Sequence, residues 1–199
     1  MQSSFMLATW LLATAGLPQA SGQVKTKKYN AQTNQVYWPS SFNPQNKGAW
    51  YVHNEIDIAA PPAVVWQILI EAQQWHSFYK GVEAPITFAD RNVQALAPNT
   101  RFNFKTMGLK FQPTVQEYVP HERLAWAIEE KRIKAYHAWV IVPTVTGCRL
   151  ISPEVQFGFL TKLQKLFQPN KLLNLHEVWL NAIKQRAENR QTQQMALAK

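Results

Sequence analysis

From Trp50 to Ala59 apolar and polar side chains alternate. Val52, Ile56 and Ile58 fall on one face and His53, Glu55 and Asp57 on the other, the period-two signature of a half-buried antiparallel strand. Pro61 and Pro62 stop that strand and suit the first turn of a helix. Val64, Val65, Ile68, Leu69 and Ala72 continue it at helical spacing, and a second short helix is expected to hold Trp75, Phe78 and Tyr79 before Gly81. A meander follows. Thr100–Thr106 sets Phe102 and Phe104 against Arg101, Asn103 and Lys105. Leu109–Tyr118 follows a turn at Met107-Gly108, with Pro113 marking an edge or a bulge. Arg123–Glu129 aligns Leu124, Trp126 and Ile128, and Arg132–Gly158 reads as two long strands around a turn at Pro143–Gly147.

After Gly158 the period changes. Leu160, Leu163, Leu166 and Phe167, then Leu172, Leu175, His176, Trp179 and Ile183, recur at three- and four-residue steps. They predict a long amphipathic helix with Lys162, Lys165, Lys184 and Arg186 outside, kinked or divided by Pro169. The order is strand, two short helices, antiparallel strands, long helix, which is the α+β class. The curled sheet must bury one face, and only the last helix is long enough to fill it.

The ends read differently. Residues 1–22 carry no charge, and Phe5–Leu17 is a thirteen-residue, mainly apolar run followed by Ala20-Ser21-Gly22. That suits a cleaved secretory signal better than a span of an about 30 Å bilayer core, although no Lys or Arg precedes the run. Export to the periplasm or the medium is expected if the signal is cleaved, and a cytoplasmic location otherwise. Residues 23–49 read as a strap or linker containing Tyr37, Trp38 and Phe42, placed to cover an edge of the sheet. The domain proper is expected over 50–190, with 191–199 a frayed tail.

Lys and Arg outnumber acids 21 to 12, a net charge of +9. The basic residues are scattered without a run or a nucleic-acid-binding motif, so nucleic acid is not expected as a partner, whereas an anionic membrane surface would suit such a charge. Cys148 is the single cysteine, so no intramolecular disulfide can form, and it reads as a small strand residue. The five histidines show no metal-ligand spacing, and neither a metal nor a cofactor is expected.

At this point a resemblance enters. Ile56-Asp-Ile-Ala-Ala-Pro-Pro-Ala-Val-Val-Trp66 followed by Trp75 resembles the opening of the SRPBCC superfamily, the START-related, polyketide-cyclase-like group with the helix-grip fold. Pro98-Asn-Thr-Arg-Phe102, Val115-Gln-Glu117, Pro120, Arg123-Leu-Ala-Trp126, Tyr136-His-Ala-Trp139, Gly147, Glu154 and Gly158 continue the likeness, over residues 50–188. Cys148 departs from it, because many relatives have Thr after the glycine. The resemblance implies an antiparallel sheet of about seven strands wrapped round the C-terminal helix, with an apolar cavity between them. Members bind lipids, sterols, polyketides, quinones or plant hormones, and a minority catalyse cyclisation or hydrolysis.

Within that frame His137 and Glu154 lie nearly opposite each other on one hairpin and could orient a ligand or act as acid and base. Strict alternation groups Glu154 with Ser152 and Gln156, away from Ile151, Val155 and Phe157, so a bulge at Pro153 would be needed for it to join an apolar cavity face. Trp75, Tyr79, Phe102, Phe104, Trp126, Trp139 and Trp179 are expected on the concave side, some as core and some as ligand wall, with His176 a weaker polar candidate. His176-Glu177-Val178-Trp179 is not the paired-histidine zinc motif, since no histidine stands at 180. Three readings stay open. The preferred one is a binding or carrier protein for a small hydrophobic or lipid-like molecule; the others are a cyclase- or hydrolase-type enzyme using His137 and Glu154, and an interaction domain with a filled cavity. The ligand's identity and the oligomeric state are not legible.

Overall fold

The computed structural model describes residues 24–30 and 35–197. The expected signal segment therefore lies outside the described residues. The described residues open with a two-residue strand β1 (Lys25–Thr26), then β2 (Trp50–Ile58), α1 (Pro62–Ile70) and α2 (Trp75–Phe78). Strands β3 (Thr87–Phe88), β4 (Phe102–Thr106), β5 (Leu109–Phe111), β6 (Thr114–Val119), β7 (Arg123–Glu130), β8 (Ile133–Thr144) and β9 (Gly147–Phe157) follow, then α3 (Phe159–Phe167) and α4 (Lys171–Leu197). The sheet order is β1-β2-β9-β8-β7-β6, and β3-β4-β5 form a second ribbon. An Arg101–Thr114 bridge and the bonds from Phe102 N to Pro113 O and Val115 N to Thr100 O link the two. All pairings are antiparallel.

α4 lies across the concave face and buries Leu172, His176, Trp179, Leu180, Ile183 and Ala187, a three- and four-residue repeat that keeps one stripe on the sheet. Trp179, Leu180 and Ile183 are at most 2% exposed. Burial of each contributes about 1.5–3 kcal/mol relative to exposure. Around Trp179 the rings close up: Trp139 and Trp75 have centroids 5.0 and 5.1 Å away, and Tyr79 stacks on it at 4.5 Å.

Several boundaries differ from the sequence pattern. The hairpin turn is only Val145–Thr146, because Pro143 and Thr144 still pair with Cys148 and Gly147. The expected strand over 109–118 is two strands, broken where Pro113 offers no N–H. Residues 168–170 divide the last helix into α3 and α4, consistent with a break at Pro169. The tail expected to fray is instead helical to Leu197.

No bulge occurs at Pro153. His137 pairs with Glu154 and Ile141 with Leu150 in one unbroken register, and β2 pairs just as regularly with β9. Directly opposed residues share a face, so Glu154, Ser152 and Gln156 point inward with His137 and Trp139. The apolar set Ile151 and Val155 points outward, where Val36 and Phe42 of the N-terminal strap pack against it and against Tyr136. The strap covers the outer face as well as an edge. It is anchored by Lys27, whose Nζ lies 2.8 Å from the Glu55 carboxylate, and by the edge-on contact of Tyr29 with Tyr51.

Leu180→Ala is expected to lower unfolding stability by about 2–5 kcal/mol, because a fully buried side chain leaves a cavity between helix and sheet. Leu197→Ala, at 89% exposure, is expected to change it by less than about 0.5 kcal/mol. Urea unfolding of the two variants checks this pair.

Candidate functional site

Two neighbouring strands and the helix opposite them bring three titratable side chains together. His137 on β8 and Glu154 on β9 face each other through the register, and His176 reaches them from one turn inside α4. Their side chains are 6%, 8% and 3% exposed. His176 Nε2 is 3.0 Å from Glu154 Oε2, and His137 Nδ1 is 3.3 Å from the same oxygen. Gln156 donates to Glu154 Oε1 at 2.5 Å, and His137 Nε2 meets the Ser152 hydroxyl at 2.8 Å. The two imidazoles are nearly parallel, with centroids 4.5 Å apart and planes 9° apart.

A carboxylate removed from water survives ionised only if its partners offset the desolvation. Burial pushes Glu154 up, but the His176 hydrogen bond, the electrostatic pull of both imidazoles and the Gln156 bond bring it below the usual carboxylate range. Burial, then repulsion from His176, takes His137 down to about 3 against the opposing pull of Glu154. His137 is therefore neutral at pH 7. With Glu154 beside its Nδ1, the proton belongs on that nitrogen, and Nε2 accepts from Ser152. Glu154 beside His176 Nε2 likewise places a proton on that nitrogen, and the second ring nitrogen is Nδ1. That Nδ1 is buried and has no hydrogen-bond partner.

These groups form the polar floor of a pocket whose walls are apolar. Tyr79, Phe104, Trp126, Ile128, Ile133, Leu172 and Trp179 line it, with Thr106, Met107 and Phe111 at the β4–β5 side. The enclosed volume is about 40 Å³, room for about two or three waters. Burial, with the Glu154 charge beside it, keeps the Tyr79 hydroxyl protonated, and it donates to Leu175 O at 3.2 Å. Besides His176 Nδ1, Gln156 Oε1 and Trp179 Nε1, both on residues that line the pocket, are also buried without partners.

Of the residues expected at the site, Tyr79, Phe104, Trp126, His137, Glu154, His176 and Trp179 line the pocket. Trp75, Phe102 and Trp139 do not. Trp75 is fully buried behind the wall with its Nε1 bonded to Ile68 O, Phe102 packs against it at 6.1 Å, and Trp139 backs the His137 ring at 4.8 Å. Ser152 and Gln156 went unrecognised as members of the polar network. Their positions two residues either side of Glu154 were the available signal, since such residues share a strand face. Cys148 is fully buried and its thiol is pushed up to about 12, mainly by burial, which leaves it unreactive.

Tertiary structure also creates a set of potential ligand atoms that spacing along the chain did not reveal. One atom each from His137, Glu154 and His176 lies within 4.8 Å of the others. A metal about 2.0–2.1 Å from two imidazole nitrogens must lie in both ring planes. Rings stacked 4.5 Å apart at 9° have no such point, so a cation would require one imidazole to turn. The coordinates describe a hydrogen-bonded cluster rather than a preformed cation site.

With the geometry in hand, known proteins can be compared. The family model described as polyketide cyclase / dehydrase and lipid transport matches residues 49–188. No curated protein sequence matches the chain. Among solved structures, a hypothetical protein from Helicobacter pylori is 27% identical, with a TM-score of 0.71 over 80% of this chain and 99% of that one. Norcoclaurine synthase from Thalictrum flavum, in complex with dopamine and hydroxybenzaldehyde, is 12% identical with a TM-score of 0.54, over 69% of this chain and 85% of that one. The di-domain ARO/CYC of the steffimycin biosynthetic pathway is 17% identical with a TM-score of 0.57, over 71% of this chain and 51% of that one, so the chain spans about half its length. The last two likenesses are of fold. By its family match over 49–188, carried on a helix-grip α+β fold, the chain belongs to the polyketide cyclase / dehydrase and lipid transport family.

Proposed function

We propose that the pocket binds a small, flat organic molecule bearing a hydroxyl or carbonyl group and that its floor moves a proton to or from that molecule. The observation that carries this reading is the pairing of His176 Nε2 with the buried Glu154 carboxylate while Nδ1 of the same pocket-lining residue stays buried and unpartnered. A carboxylate that fixes one imidazole nitrogen leaves the other as a directed base. The unused Trp179 N–H offers a donor to an oxygen of the same molecule. A site that held only hydrocarbon would have no use for a carboxylate between two imidazoles, which costs stability to bury.

In this scheme His176 takes the role of base, Glu154 orients it, and His137 with Gln156 holds the carboxylate. The solved relatives named for norcoclaurine synthesis and for the ARO/CYC pathway protein support the reading only as examples of this fold. A carrier role is the second reading, favoured by the aromatic and aliphatic walls and by the lipid-transport description of the family. A cavity of about 40 Å³ would have to open before it could hold either kind of molecule, and further for a lipid chain than for a single ring.

4-Nitrophenol separates the two, because its visible band differs between phenol and phenolate. Wild-type protein is expected to bind it at the pocket and shift the bound fraction toward phenolate. His176→Phe is expected to abolish the shift, and Glu154→Gln to weaken it by at least tenfold, in line with an acid–base contribution of about 10²–10⁴. Equal binding by all three proteins without a spectral shift, with a lipid found by native mass spectrometry, would establish the carrier instead.

The same groups set a pH dependence. The His137 imidazole is depressed from its ordinary 6.5 to about 3 in the folded chain. Between those values the unfolded chain binds a proton that the native one does not, so stability falls as pH drops below 6.5. Glu154, also depressed, contributes stability above its ordinary 4.5 that is lost as pH falls through its folded value, so the two effects add. Thermal denaturation should show a melting temperature that declines below pH 6.5, as unfolding free energy falls by up to about 1.4 kcal/mol per pH unit for one proton. His137→Gln should flatten the upper part of that decline. A wild-type melting temperature unchanged down to pH 4.5 would contradict the assignment.

A further inference from the structure

Helix α3 is amphipathic but faces the wrong way for a helix that serves only its own core. Over Phe159–Phe167 the apolar residues Phe159, Leu163, Leu166 and Phe167 fall on one side at helical spacing. Leu166 and Phe167 are 71% and 72% exposed and Phe159 is 61% exposed. The side turned to the protein carries Leu160, packed on the Phe111, Ile128 and Ile133 cluster, Thr161, buried with a hydroxyl that has no partner, and Gln164, whose side-chain nitrogen contacts Met107 Sδ at 3.4 Å. A lone exposed Leu is ordinary, but four large apolar side chains on one nine-residue helix form a patch that marks an interaction surface.

The charges around it say what kind. Lys162 and Lys165 flank the apolar stripe and Lys171 opens α4, while no acidic residue occurs from Val155 to His176. A second copy of the chain would bring these lysines against one another in a two-fold contact, on a protein of net charge +9. An anionic bilayer accepts the rings and leucines into its interface and neutralises the lysines at headgroup level. We infer that α3 is an interfacial helix that docks this protein on an anionic phospholipid surface. Its location adds a consequence: Gln164 touches Met107, which lines the pocket, and Leu172 and Leu175, which also line it, follow on α4. Docking sets the pocket mouth near the bilayer, where apolar molecules partition. The inference stands on α3 and not on the proton chemistry of the floor.

Flotation of the full chain with phosphatidylcholine vesicles, with and without phosphatidylglycerol, tests it. Wild-type protein is expected to float with the anionic vesicles and to be released by salt. Leu166→Ser/Phe167→Ser is expected to lose at least tenfold in binding with its melting temperature unchanged, since both side chains are solvent-exposed. Lys162→Glu/Lys165→Glu should lose as much on anionic vesicles alone. The inference is overturned if both double variants float as the wild type does. It is equally overturned if light scattering shows a wild-type dimer that the Leu166→Ser/Phe167→Ser variant converts to monomer, which would give the face to a second copy.

Discussion

The centre of this molecule depends on keeping one carboxylate charged away from water. Glu154 sits where three strands and a helix meet, and an isolated charge there would cost several kcal/mol. His176 from α4, Gln156 from its own strand and His137 from the neighbouring strand supply the compensation. That requirement couples elements otherwise held only by apolar packing. α4 must lie with His176 over β9, and β8 and β9 must keep the register that opposes His137 to Glu154. The ring cluster around Trp179 then closes the site on its apolar side.

Much of the fold was legible because its signals are local. The alternation at Trp50–Ala59, the prolines that open α1 and the change of period after Gly158 all have direct physical readings, and the structure carries each of them. The inward direction of Glu154 stayed open in the sequence for a definable reason. Alternation marks the buried face only when the other face is wet. Here Val36 and Phe42 cover the outer face, so Ile151 and Val155 are apolar without facing the cavity. The strap's placement is a long-range fact with no periodic signature, and its aromatic residues were the only hint.

Ligand-wall and core aromatics were likewise inseparable in the sequence. Trp126 and Trp139 lie on the cavity-facing sides of adjacent strands, yet one reaches the pocket and the other lies behind His137. The difference is set by a register two residues apart and by which side chain α4 covers. His176 illustrates the same limit. It fits a helical stripe as an ordinary buried residue, and only the fold shows that Glu154 lies within reach of its Nε2. Its neighbour α3, read as a continuation of the same amphipathic stripe, turns its apolar side to solvent because the break at residues 168–170 frees it to rotate relative to α4.

Family membership gives the fold and a pocket, and the particular polar floor distinguishes this chain within it. A carboxylate that fixes a proton of His176 on Nε2, beside a His137 that burial keeps neutral, makes a definite statement about where protons reside. Long-range ¹H–¹⁵N correlation of the histidine side chains at pH 7 reads those positions directly. The account predicts His137 as a neutral ring protonated on Nδ1 and His176 with a proton on Nε2 toward Glu154. An imidazolium at His137, or a His176 proton on Nδ1 with Nε2 bare toward Glu154, would contradict it.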